Sequence, residues 1–136
     1  DLVASSPSGG RIQVYSNPLA SASNPAPTLT IQGPVTFGYF LSAGNVNSAD
    51  TLSDLVISQG AVISNEAWVL YRRGTGFDSG IGTSPAFWVS RFQGAVITGS
   101  TNTSLGRGNA LGELDAQNGN DLILGDERAN LVKIWR

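Results

Sequence analysis

The carboxylates are the groups in this chain that cluster in a way chemistry could use. Five of its ten acids, Glu113, Asp115, Asp121, Asp126 and Glu127, fall within the fifteen residues "ELDAQNGNDLILGDE" (113–127). Oxygen donors at that density suit a hard cation such as calcium, which collects carboxylates and carbonyls. Asp115, Asp121 and Asp126 are the candidate calcium ligands, and no other cofactor is expected. The chain has no His and no Cys. That removes the usual zinc, iron and copper ligands, the commonest general base and the reactive thiol. No G-x-S-x-G elbow is present either. The expectation is therefore a protein without catalytic activity.

Within the acidic stretch, "NGNDLILGD" resembles one turn of the RTX nonapeptide, G-G-x-G-x-D-x-U-x. Gly119 takes the fourth position, Asp121 the sixth and Ile123 the aliphatic eighth. Steps of nine from Ile123 reach Val132 in one direction and Leu114 and Leu105 in the other. The resemblance implies a β-roll with calcium held between turns. The acids do not keep the period, since Gly112 and Thr103 stand where earlier ligands belong. A hairpin with an Asn-Gly turn accounts for the same residues without metal.

A second constellation is aromatic. "AWVLY" (67–71) and "AFWVSRF" (86–92) are apolar on both faces of an extended chain. Trp68, Tyr71, Trp88 and Phe92 could form a platform for stacking on sugar rings, or fill a core or a subunit contact. Between them, "RRGTGFDSGIGTSP" (72–85) is Gly-rich like a phosphate cradle, but it leads to Pro85 and another β run instead of opening a helix. It reads as an exposed loop carrying Phe77 and Asp78. "NTS" (102–104) is a glycosylation sequon at Asn102. A net charge of −2, with Lys133 as the single lysine, excludes the basic stripe that nucleic acid requires. Arg72, Arg73 and Arg91 read as solvent-facing strand residues.

The elements that must position these residues are short and extended. "RIQVY" (11–15), "TLTIQG" (28–33), "VTFGYFL" (35–41), "GAVIS" (60–64), "EAWVLYRR" (66–73), "AFWVSRF" (86–92), "GAVITG" (94–99), "LILG" (122–125) and "NLVKIWR" (130–136) alternate or concentrate β-branched and aromatic residues between turn signals. "TLSDLVIS" (51–58) fits a strand or a helical turn. The terminal run, with Val132, Ile134 and Trp135, is expected as core. Residues 1–27 read as a flexible N-terminal arm, with one strand at 11–15 and a linker holding Pro18, Pro25 and Pro27. Residues 28–136 read as a single β-domain. The predicted fold is all-β, an antiparallel β-sandwich or jelly roll with little helix, with a short β-roll or solenoid as the alternative.

Charged residues make up 13% of the chain, against roughly 25% in an ordinary soluble domain. The polar surface is thus mostly Ser, Thr, Asn and Gln. No run approaches the about 18 apolar residues of a membrane span, and the absence of Met suggests a processed start at Asp1. These traits fit a structural module of an extracellular filament, cell-surface appendage or virion that packs against copies of itself or other surface proteins. In that reading Leu2, Val3, Ile12 and Val14 are the assembly residues of the arm, adding a strand to a neighbour. The alternative is a secreted module that binds glycan or calcium.

Overall fold

The computed structural model describes residues 1–15, 25–46, 51–59, 66–72, 94–99, 104–117 and 119–135, with side chains omitted at 94–96. The strands are β1 (Leu2–Ser6), β2 (Arg11–Tyr15), β3 (Leu29–Gln32), β4 (Phe37–Gly44), β5 (Asp54–Gln59), β6 (Glu66–Leu70), β7 (Gly94–Thr98), β8 (Leu105–Gly112), β9 (Asp121–Asp126) and β10 (Leu131–Trp135). They form three antiparallel sheets. Sheet 1 runs β1-β2-β3, sheet 2 runs β4-β5-β6-β7, and sheet 3 runs β8-β9-β10. The expected all-β, sandwich-like, antiparallel architecture is what the chain adopts. The ambiguous 51–58 stretch resolves as strand from Asp54, and Leu55, Val56 and Ile57 are all buried, as a central strand covered on both faces requires.

The sheets stack face to face with sheet 2 in the middle. Between sheets 1 and 2 lie Ile12, Ile31, Phe37, Leu55, Ile57, Trp68 and Leu70. Between sheets 2 and 3 lie Val56, Ala67, Val69, Leu105, Leu122 and Leu124. Alternation along β5 explains this division, since Leu55 and Ile57 point one way and Val56 the other.

The three sheets are versions of one unit. "DLV" or "DLI" stands at residues 1, 54 and 121, each time followed by a strand of a hairpin. β4 and β8 each begin with an apolar residue and a glycine, Phe37-Gly38 and Leu105-Gly106. Both then slip register in the same way: Phe37 pairs Gln59 and Phe40 pairs Ser58, while Leu105 pairs Asp126 and Gly108 pairs Gly125. Gly38 and Gly106 hold φ of +79° and +83° at these bulges, where a side chain is disfavoured. A Cβ on Gly38 would stand 2.9 Å from Ile12 Cγ1 and 3.2 Å from Ser5 Cβ. One on Gly106 would stand 2.7 Å from Ser58 Cβ and 3.5 Å from Ala67 Cβ. Ser5 pairs Ile12, and Ser58 pairs Ala67. Each glycine bulge therefore seats on the same pair of positions in the preceding sheet.

Several expectations are corrected. Residues 1–10, read as flexible, contain β1 and a 3-10 turn at Pro7–Gly9. The arm packs within its own chain: β2 pairs β3, with Ile12 opposite Ile31 and Val14 opposite Leu29, and Ile12 and Val14 are buried. Val3 packs against that core, while Leu2 is exposed. The β-roll alternative fails among the described residues because every pairing is antiparallel. Leu105 is buried but Leu114 and Val132 are exposed, so the period-nine residues form no common ladder. β8, a strand over 105–112 with glycines at 106, 108 and 112, is absent from the strands expected from sequence. β10 is an edge strand with exposed Leu131, Val132 and Ile134, while Trp135 packs against the second core. The runs 60–64 and 86–92 and most of the 16–27 linker lie outside the described residues. No helix among the described residues is long and apolar enough to cross a membrane.

Candidate functional site

The acidic stretch divides into two places. Glu113, Asp115 and Asp121 bring carboxylate oxygens within 4.8 Å of one another at one end of sheet 3. Asp126 sits at the far end of β9, five residues from Asp121, which is about 17 Å of extended chain. The expected ligand set Asp115, Asp121 and Asp126 is therefore not one site, and Glu113 takes the place assigned to Asp126. All three grouped acids accept hydrogen bonds from the loop itself. Leu114 N donates to Asp121 Oδ2 at 2.8 Å, Gln117 N to Asp115 Oδ1 at 3.0 Å and Asp115 N to Glu113 Oε1 at 3.2 Å. Asp121 thereby repeats the work of Asp54, whose two oxygens accept from Val46 N and Arg72 N, each at 2.9 Å. An aspartate at the start of the strand clamps the preceding loop in both sheets. Carboxylates aimed together by such a clamp can also coordinate a hard cation through their remaining lone pairs.

Asp126 has a separate task. Its Oδ1 accepts from Ser104 N at 3.1 Å and from Ala129 N at 3.4 Å, tying the approach to β8 and the 3-10 turn Glu127–Ala129 to the end of β9. Its buried Oδ2 lies 3.9 Å from Lys133 Nζ.

Of the expected aromatic platform, Trp68 and Tyr71 are described, and they pack toward different cores. Trp68 is buried between sheets 1 and 2, edge-on to Phe37 at 5.2 Å and 75°. Tyr71 packs toward the other core, as odd spacing along a strand demands. Trp88 and Phe92 lie outside the described residues, as do Phe77, Asp78, Asn102, Arg73 and Arg91. Arg72 is close to Asp1, with Nη1 3.5 Å from Oδ2.

The surface that stands out is the outward face of sheet 3, which the sequence reading missed. Leu131, Val132 and Ile134 at its β10 edge are 53%, 67% and 48% exposed. Ile123 lies beside Ile134, and Gly125 beside Val132, on the same face. Toward the 3-10 turn this face sinks into a hollow of about 570 Å³, lined by Phe40, Gly108, Gly125, Asn130 and Val132, with the Arg107–Glu127 ion pair among its walls. Its counterparts in sheet 2 are covered: Val56, Ser58, Ala67 and Val69 occupy the positions of Ile123, Gly125, Val132 and Ile134. All four of those residues are buried, beneath sheet 3. The signal for this lay in the three Asp-Leu-Val/Ile runs, which set the units in register.

Comparison with known protein families, curated proteins and solved structures finds no match.

Proposed function

We propose that this chain is a section of a repeat-built β scaffold that works without catalysis, by docking its sheets onto others. Antiparallel sheets of about four strands repeated around an axis are the plan of β-propellers, and the glycine bulge shared by sheets 2 and 3 and the Asp-Leu strand shared by all three favour such a repeat here. The observation that carries the reading is the open face of Ile123, Val132 and Ile134, whose equivalents are buried one sheet earlier. Large exposed apolar patches mark interaction surfaces. Low charge and the Ser/Thr/Asn-rich surface favour an exported or particle-borne assembly, such as a filament, surface appendage or virion. Sedimentation over a concentration series tests it. The intact chain associates as concentration rises, and Val132→Asp with Ile134→Asp keeps it monomeric. A monomer at every concentration, with no other partner for that face, refutes the reading.

A second reading rests on Glu113, Asp115 and Asp121, where calcium would bridge the loop to the start of β9. Its test is a thermal melt in calcium and in EGTA, with Asp115→Asn as the control.

A further inference from the structure

The two ends of the described chain carry the same hairpin, and one of them is uncovered. β1 and β2 are joined by Pro7–Gly9, β9 and β10 by Glu127–Ala129, both single 3-10 turns. The flanking dihedrals coincide: Ser6 at −127°, 85° against Asp126 at −121°, 88°, and Gly10 at 59°, 37° against Asn130 at 52°, 41°. The registers coincide as well, from Leu2↔Tyr15 to Ser6↔Arg11 and from Leu122↔Trp135 to Asp126↔Leu131. Val3, Ser5, Ile12 and Val14 thus correspond to Ile123, Gly125, Val132 and Ile134. The first set faces sheet 2 and the second faces outward.

We propose that the outward face of sheet 3 is a docking surface for a second copy of this chain, whose β3 and sheet 2 accept hairpin β9–β10 in place of that copy's own β1–β2. The proposal rests on the assembly reading above and names its partner. The fit follows from the covered hairpin. Valine and isoleucine exchange places between Ile12/Val14 and Val132/Ile134, which conserves the buried volume. The partner's Gly38 bulge, now against Ser5 and Ile12, meets Gly125 and Val132, both smaller at that point, so nothing obstructs the approach. β10 then pairs with the partner's β3 as β2 does, with Val132 opposite Ile31 and Ile134 opposite Leu29. This closes the exposed β10 edge by strand addition. The contact is head-to-tail, because hairpin and acceptor are different surfaces.

A chain lacking residues 1–16 tests this when mixed with the intact chain. The shortened chain offers the vacated slot, the intact chain offers sheet 3, and an equimolar complex forms on sedimentation. Val132→Asp with Ile134→Asp in the intact chain weakens that complex about 100-fold or more, because charge enters an apolar contact. No complex between folded partners, or one indifferent to the two substitutions, overturns the proposal. A tandem chain of residues 1–136 followed directly by 17–136 poses the same question without requiring the shortened chain to fold alone. In it the first half's β10 amides exchange at least about tenfold more slowly than in the single chain, since the edge is paired. Unchanged exchange, or a second half that does not fold, overturns the proposal. Neither readout depends on self-association of the intact chain, so failure of the assembly reading is scored separately.

Discussion

Replacing Gly106 with alanine tests the sheet-to-sheet contact on which the repeat depends. The new Cβ would lie 2.7 Å from Ser58 Cβ and 3.3 Å from Ser58 Oγ, between sheets with no free space. Three effects combine. Holding a non-glycine residue at φ +83° costs about 1–2 kcal/mol. Relieving the overlap by moving packed strands costs about 1–3 kcal/mol. The buried hydrogen bond that Ser58 Oγ donates to Gly106 O, worth about 0.5–1.5 kcal/mol, is strained or lost as the sheets part. Together the loss is about 3–5 kcal/mol, or about 2 M in the urea midpoint at a slope near 2 kcal/mol/M. Gly112 on the same strand is the control. A Cβ there meets nothing within 4 Å, and its φ is not positive. Gly112→Ala should change stability by no more than about 0.5 kcal/mol. Ser58→Gly added to Gly106→Ala should recover part of the loss, since it removes the atoms being struck. A Gly106→Ala loss below about 1 kcal/mol, or one matched at Gly112, would refute the reasoning.

Asp54→Ala should cost about 2–5 kcal/mol in chemical denaturation, because two part-buried backbone donors, from Val46 and Arg72, lose their buried acceptor. Asp115→Ala, on an exposed loop, should cost under about 1 kcal/mol. Trp68→Ala should cost about 3–5 kcal/mol as a full core deletion. Trp135→Ala, on an edge strand and partly exposed, should cost clearly less, and equal losses would show β10 to be covered in solution. The chain should stay folded in EGTA, since loop donors satisfy the grouped acids without metal. Millimolar calcium should raise the melting temperature by mass action, and Asp115→Asn should abolish the rise. No rise in the parent chain rejects the calcium reading.

The fold class was legible because most strands announce themselves. "RIQVY", "TLTIQ" and "EAWVL" carry β-branched and aromatic residues in the pattern of covered sheets, and each is a strand. β8 was not legible for a physical reason. "LGRGNALG" has little β-propensity, and its glycines serve a bulge at 106, where a Cβ would strike Ser58, and an open face at 108, where a Cβ would meet nothing within 4 Å. β1 and its turn were misread because Ser, Pro and Gly between two short apolar pairs look like a tail. Their role as a 3-10 turn shows only against "GDERAN", which performs it with different residues. The metal set was misread because sequence proximity ignores strand length: Asp121 and Asp126 are close in number and separated by a whole strand.

The repeat also explains why the apolar pattern looked two-faced. A sandwich of two sheets buries one face of each strand and would alternate polar with apolar, as antiparallel sheets commonly do. A stack of like sheets buries both faces of every internal sheet, which is why β5 and β6 are buried almost throughout. At the ends of such a stack the last face needs either polar substitutions or a partner, and terminal repeats that stand alone show the former. β9 and β10 keep Ile123, Val132 and Ile134 where a capping sheet would carry polar residues, and Lys133 is the charged residue of the described β10 edge. β1 and β2 differ on their outward face, where Ser6, Ala4 and Gln13 replace the buried Asp126, Leu124 and the Lys133 position. That first face keeps Leu2 exposed beside Ala4 and Gln13, whereas the last exposes Val132 and Ile134. On the proposed docking, substitutions at Val132 and Ile134 should alter association while those at Ala4 and Gln13 leave it unchanged.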